Sequence, residues 1–441
     1  MKIIIVGAGI AGLASYHALR KHLQSIKSDR AVSIKLVESH TSPANSSRTI
    51  GGGIGLAPNG LRAIASISPE AASYIRERAF SGGLMTFRDS EGRLLGQMKA
   101  GTAERYGEFG QVMVLRATVH EALLLRVREE DVQWEMKVVS VKEAGEQVLV
   151  EYGDGSSELA DLLIGADGIR SVVKDSLFNG AYPAMYNGLT GVGGFIPISS
   201  LPSLLQESFD THRITMAFGK QGFFGYSPCT SLSSAAPFIQ WWTVYEALSN
   251  PTREKIDKTE LLTRYGDWKS PYDTPEGGLY KHLIELGYAA DPESRTTIPR
   301  HVTPRLPHWS NCTSLNSDVR GRIVLIGDAA HAMTPDLAQG VSCAVEDAVV
   351  HALLLKHYLP IPQGFEKAAQ AYEMLRMPRV HFILDQSRWN ANAKRDMNWL
   401  SQTIRDWGIW IFCKLPEFVH GGIFMYAAED VVADYIAKHP L

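Results

Sequence analysis

Two stretches of the chain, Ile3-Ile4-Ile5-Val6 and Ile323-Val324-Leu325-Ile326, are apolar without any polar alternation. β-Branched runs of that kind predict parallel strands buried on both faces. The first is followed by helical spacing at Leu13, His17, Leu19 and Leu23, then by a second strand from Val32 to Val37. Val148-Leu149-Val150, the Asp154-Gly155 turn and Glu158 to Ile164 predict a hairpin. Leu84 to Arg88 with its Asp89–Gly92 turn, Arg213 to Phe218, Gly222 to Tyr226 and Phe238 to Tyr245 predict antiparallel strands. Leu261 to Trp268 and Tyr280 to Leu286 are expected to be helical, Ser342 to Leu355 an amphipathic helix, and the helical pattern resumes beyond Phe365 to about 405. The pattern is an α/β protein with an inserted antiparallel sheet and C-terminal helices.

At 441 residues the chain has room for two or three domains of about 150 residues each. It is 45% apolar and 21% charged, which excludes a largely disordered chain. A net charge of −3 without a basic tract excludes nucleic acid as an expected partner. Four cysteines, none at metal-ligand spacing, predict neither a disulfide framework nor a metal site and fit a reducing compartment. The opening apolar run is far shorter than a signal core. The run Trp407 to Cys413 falls far short of the roughly 20 residues that span a bilayer. A cytoplasmic protein without a transmembrane segment is expected.

Gly7-Ala8-Gly9-Ile10-Ala11-Gly12 joins the first strand to the first helix. In such a turn Gly7 permits the tight bend, Gly9 lets a pyrophosphate approach bare backbone, and Gly12 lets helix and strand pack closely. The phosphates meet the positive end of the helix dipole. Glu38 closes the second strand, where its carboxylate can accept from ribose hydroxyls, and Ser25 to Arg30 is read as a polar insertion before it. This predicts a dinucleotide site without choosing between FAD and NAD(P).

Two later segments make that choice: Gly165-Ala166-Asp167-Gly168-Ile169-Arg170-Ser171, and Gly327-Asp328-Ala329-Ala330-His331-Ala332-Met333-Thr334-Pro335 with Gln339-Gly340 after it. With the glycine turn, they resemble the FAD-dependent aromatic monooxygenases of the para-hydroxybenzoate hydroxylase fold, salicylate-hydroxylase-like and of the fungal secondary-metabolism type. The resemblance implies an FAD-binding Rossmann-like domain carrying an inserted substrate sheet. The divisions expected are 1–80, 116–180 and 301–360 for the FAD-binding parts, 81–115 and 181–300 for the substrate strands and sheet, and 361–441 for C-terminal helices. It implies that Gly7, Gly9, Ile10, Ala11, Gly12 and Glu38 hold the ADP half of FAD. Asp328 would meet the ribityl or pyrophosphate region, with Pro335, Gly340 and Val341 near the isoalloxazine. Arg48, Gly52, Gly53 and Arg116 would also face the cofactor, and Asp167 and Gly168 would serve both FAD and NADPH or NADH. The chain departs from the pattern at Ala338, Ser342 and Lys174, where relatives carry glycine, often asparagine, and arginine.

The implied reaction uses NAD(P)H and O2, through a flavin C4a-hydroperoxide, to hydroxylate an aromatic substrate. Phe223, Phe224, Tyr226, Trp241 and Trp242 concentrate aromatic side chains in the expected substrate sheet, and Tyr226 is the candidate for a hydrogen bond to a substrate hydroxyl. No charged residue stands between Thr190 and Phe195, where several relatives carry an arginine, which points to a more neutral substrate. His331 is expected to be structural. Alternatives are an epoxidase or Baeyer–Villiger-like monooxygenase on the same scaffold, with an alkene as the alternative substrate class, an FAD-dependent halogenase, and a non-catalytic FAD-fold binding protein. Adjacent Trp241 and Trp242 lack the W-x-W-x-I-P form of halogenases. The tail 389–441, with Trp389, Trp399, Trp407 and Trp410, matches no motif. Core packing is its default, with an active-site wall, a dimer contact or a membrane surface as alternatives; monomer and homodimer both stay open.

Overall fold

The computed structural model describes residues 1–23, 32–41, 52–209, 213–247, 257–290 and 295–441. Arg48 and the Ser25–Arg30 insertion lie outside them. A five-stranded sheet runs in the order Ile323–Leu325, Leu162–Gly165, Lys2–Val6, Ser33–Val37, Val132–Gln133, with every pair parallel. Ile3, Ile4 and Ile5 are fully buried, the outcome expected where crossovers leave neither sheet face to water. The Ile10–Leu23 helix follows directly on the glycine turn.

The hairpin takes a different course from the one its sequence suggests. Gln147–Tyr152 pairs antiparallel with Ser157–Ala160 and with Val138–Ala144. The second arm then breaks at Asp161, and Leu162–Gly165 joins the parallel sheet. Asp161 makes the handover: its carboxylate accepts from the Lys2 N–H at 2.7 Å and from Gln147 at 2.9 Å.

The substrate sheet has seven strands, ordered Arg295–Val302, Met185–Pro197, Phe238–Glu246, Gly222–Pro228, Arg213–Gly219, Leu84–Asp89, Leu94–Lys99. It is antiparallel except between Arg213–Gly219 and Leu84–Asp89, which are parallel. The Lys258–Tyr265 and Leu279–Ala289 helices bury Leu261, Tyr265, Tyr280, Leu283 and Ile284 in a core with Phe224, Tyr226 and Trp241 from the sheet.

Two expected divisions shift. Val112–Leu115 belongs with Gly53–Leu56 and Phe80–Ser81 in a small separate sheet, so of 81–115 only the Leu84–Lys99 hairpin joins the substrate sheet. The last substrate strand runs to Val302. Residues 361–441 are helical, as expected, and Tyr372, Val380 and Ile383 of the Gly364–Asn392 helix, and Val432 near the end, sit in the same core as the parallel sheet.

The Gly340–Tyr358 helix is not amphipathic, for Glu346, Asp347 and His351 are buried along with its apolar residues. Arg376 answers the acids, 2.7 Å from Glu346 and 2.8 Å from Asp347; Arg379 adds a contact to Glu346 at 2.8 Å, and His331 one to Asp347 at 2.6 Å. Fully paired buried charges of this kind escape the cost of an orphaned ion. Burial pushes the Asp347 carboxyl up, and His331 and Arg376 beside it reverse the effect and hold it below the ordinary carboxylate range. In the Trp399–Lys414 helix no residue is buried, so the core expectation for the tail fails over this helix, whereas Ala391, Phe424, Ala428 and Val432 on either side of it are buried. No helix among the described residues is long and apolar enough to cross a membrane.

Candidate active site

A cavity of about 2260 Å³ runs from the glycine turn to the substrate sheet. Pockets for a single small ligand are usually about 300–1,000 Å³, so this one has room for a dinucleotide and a second molecule together. Gly7, Gly9, Ile10, Ala11 and Glu38 line one end, with Arg116, Asp167 and Gly168; Gly52, Gly53, Asp328, Pro335, Gly340 and Val341 line it further along. Met85, Phe87, Met113, Met216, Phe223 and Trp242 line the far end.

The glycine turn has the geometry its spacing predicts. Gly7 has φ +100°, and a Cβ there would sit 2.6 Å from the Ala166 carbonyl oxygen. A Cβ on Gly12 would lie 1.9 Å from the Gly7 oxygen, so Gly12 packs without lining the cavity. A Cβ on Gly9 would meet nothing within 4 Å. That open side is where a phosphate can reach backbone N–H groups at the helix start. Glu38 accepts from the Ala8 N–H at 2.8 Å and from the His40 N–H at 3.1 Å. Two carboxylate oxygens offer about four acceptor positions, so capacity for ribose hydroxyls remains.

Arg116 opens the Arg116–Leu124 helix, and its own N–H donates to the Gly52 oxygen at 2.9 Å. Its side chain is half-buried in the cavity wall without an ion-pair partner among the described residues. Burial lowers the guanidinium pKa and the Asp328 charge opposes this. A cation at a helix start is also unfavourable to the dipole. Such a group fits an anionic occupant, and with the Gly9 opening it fits FAD. Asp167 is spent locally: Ser171 donates to it at 2.5 Å, and the Val172 and Val173 N–H groups at 2.7 and 3.2 Å. Burial raises its pKa while these hydrogen bonds lower it. It anchors the Val172–Phe178 helix, and Gly168 beside it has φ +75°.

Ala338, the departure from glycine, sits at φ +53°, ψ +33°. The left-handed conformation explains why glycine suits this position. Tyr226 does not reach the cavity. Strand alternation turns Phe223 toward it and carries Phe224 and Tyr226 to the helix-covered face, where Tyr226 is 1% exposed against Tyr280. Burial pushes its phenol up, with Thr215 and Ser270 as its polar neighbours. His331 is buried between Asp347 and Trp309, in keeping with a structural role.

One polar group in the wall was not legible beforehand. Asp336, with its side chain fully buried, takes Arg300 at 2.9 Å and Lys394 at 2.6 Å, and all three line the cavity. Burial pushes the Asp336 carboxyl up, but Lys394 and Arg300 hold it well below its ordinary value. Burial likewise depresses the Lys394 ammonium, against the pull of Asp336. The Lys394 nitrogen stands 4.3 Å from the centre of the Phe223 ring. Position 336, next to Pro335, was the one available signal; nothing near position 394 marks the lysine.

Residues 298–387 match the FAD binding domain family. The chain is 27% identical over 405 residues to the zeaxanthin epoxidase of Solanum lycopersicum, covering 87% of this chain but only 53% of that protein. It is 28% identical to the 3-amino-4-hydroxybenzoate 2-monooxygenase PtnB3 of Streptomyces platensis, covering 88% of this chain and 87% of that one. The Klebsiella pneumoniae HpxO complex with FAD and uric acid superposes with a TM-score of 0.72 at 22% identity, covering 100% of this chain and 97% of the other. By fold and by its motif segments the chain is a flavoprotein with FAD as its cofactor. The matched segment is that of the FAD binding domain family, the relatives that align with the chain include monooxygenases, and the solved structures share its fold.

Proposed function

We propose that the chain is a self-contained monooxygenase that consumes NAD(P)H and O2, inserts one oxygen atom into an electron-rich aromatic substrate and releases the other as water. The continuity of the cavity carries this reading: the phosphate cradle and the apolar chamber share one space. Bound FAD supplies the chemistry that side chains lack, taking two electrons from the nicotinamide and delivering them to O2.

The chain's own residues bind and orient. Gly7, Gly9 and Glu38 hold the adenosine diphosphate half, Gly12 packs the helix start against their turn, and Arg116 answers the cofactor's anionic character. Gly52, Gly53, Asp328, Pro335, Gly340 and Val341 place the flavin against the chamber. Asp167 and Gly168 set the shape of the wall where FAD and nicotinamide would both be read. Met113, Met216, Phe223 and Trp242 exclude water from the reacting atoms. Lys394, held by Asp336, donates to a substrate oxygen beside Phe223. Four free cysteines support a reducing, cytoplasmic setting.

Epoxidation of an alkene is the second reading, favoured by the likeness to zeaxanthin epoxidase and by the apolar chamber wall. The test is the rate at which NADPH, then NADH, bleaches the bound flavin without oxygen, with and without a panel of phenols, aromatic acids, indoles and polyenes. Acceleration of about tenfold, roughly 1.4 kcal/mol of barrier, by one compound supports the reading and identifies a substrate. A flavin that neither nucleotide bleaches overturns it.

A further inference from the structure

The Trp399–Lys414 helix is anchored along one stripe only. Cys413 faces Gly96 of the sheet's edge strand, and Arg405 donates to the Gly219 oxygen at 3.0 Å. Its next stripe, with Ile404 and Phe412, lines the outer end of the active-site cavity while staying exposed. Phe382 and Trp389 of the Gly364–Asn392 helix do the same from another side. The opening is therefore rimmed by apolar side chains on more than one element. Beyond it Trp399 and Trp407 are 72% and 60% exposed, with Trp410 and Ile411 beside them.

Charge on this helix is turned away from that surface. Arg405 and Asp406 pair at 2.9 Å with side chains only 6% and 15% exposed, leaving Lys414, which stands over the Trp410 ring. Large contiguous apolar patches on a protein surface mark interaction sites. Tryptophan-rich ones of low charge match the boundary between lipid headgroups and acyl chains. A second copy seated here would block the opening to the flavin, whereas a bilayer would feed it.

We propose that this rim rests on the headgroup region of a lipid bilayer, and that the substrate is a lipophilic ring compound or polyene dissolved there. It passes along Ile404 and Phe412 into the chamber without crossing water. The substrate half of this inference rests on the monooxygenase reading; the surface half does not.

The test uses the FAD-loaded full chain with phosphatidylcholine vesicles, followed by co-sedimentation and by quenching of tryptophan emission with brominated acyl chains. Binding with quenching is expected, and a Trp399→Ser, Trp407→Ser, Trp410→Ser triple variant should lose at least about tenfold in partitioning. That variant should retain its flavin absorbance and its anaerobic bleaching rate by NAD(P)H, which certifies its fold. Failure of the wild type to bind vesicles overturns the surface. So does a dimer in sedimentation equilibrium that the triple variant abolishes, which would make this face a self-contact. Vesicle binding without any flavin bleaching would instead leave the surface standing and overturn the monooxygenase reading.

Discussion

Replacing Arg116 by methionine should move apo stability and FAD affinity in opposite directions. The guanidinium faces the cavity with no ion-pair partner among the described residues, and burial already works against its charge. Methionine keeps much of the side-chain volume and leaves no carboxylate orphaned, so the apo variant should be as stable as the wild type or up to about 1 kcal/mol more stable. FAD binding should weaken, because a hydrogen bond to a charged group is worth about 1.5–3 kcal/mol, or roughly tenfold to a hundredfold in Kd. Flavin fluorescence titration gives the affinity, and calorimetry of the apo and loaded forms gives the stabilities. A variant that binds FAD normally but unfolds more readily when empty would refute the argument and make Arg116 a brace for the Arg116–Leu124 helix.

Ala338→Gly should stabilise the loop by up to about 1 kcal/mol in urea unfolding, since the left-handed backbone costs alanine more than the added unfolded-state entropy costs glycine; a clear loss would show the methyl group to be needed for packing. Tyr226→Phe should leave kcat/KM within about twofold and stability unchanged or slightly raised, since the buried hydroxyl has no hydrogen-bond partner among the described residues, and a large loss of kcat/KM would show it reaching the substrate. His351 is fully enclosed, and burial lowers its pKa to about 4 from 6.5, with Asp347 opposing. Below pH 6.5 the unfolded chain binds the proton and the folded chain does not. Stability should therefore fall as the pH drops from 6.5 toward 4, by on the order of 3 kcal/mol, and a His351→Gln variant should lose that part of the slope. An unchanged slope would show the imidazole to be open to protons in the folded state.

What the sequence made legible is what local backbone geometry enforces. The Gly7-to-Gly12 turn could be read because each glycine answers a contact within the same βα unit. Arg116 could be read because a cation at a helix start is out of place without an anion. Tyr226 was misjudged because a period of two tells which residues share a face, but not which face meets the cavity. The Gly340–Tyr358 helix looked amphipathic because Glu346 and Asp347 read as surface acids; their partners Arg376 and Arg379 lie a whole helix further on. Lys394 was invisible for the same reason: its acid is 58 positions away. The tail's tryptophans suggested a core, since aromatic residues ordinarily find one.

The Asp336–Lys394 pair, just past the end of the helix that carries Arg376 and Arg379, makes the chain hard to divide. The segment that matches the FAD binding domain ends at residue 387, inside the helix that carries these arginines and, a turn or two later, runs up to Lys394. A fragment trimmed to that boundary would keep the arginines but lose Lys394, leaving Asp336 buried with Arg300 as its one cation. It would also lose part of the wall that closes the substrate chamber. The cofactor half and the substrate half are therefore a single unit of inheritance: neither can be lent to another protein without the helix that pins them together.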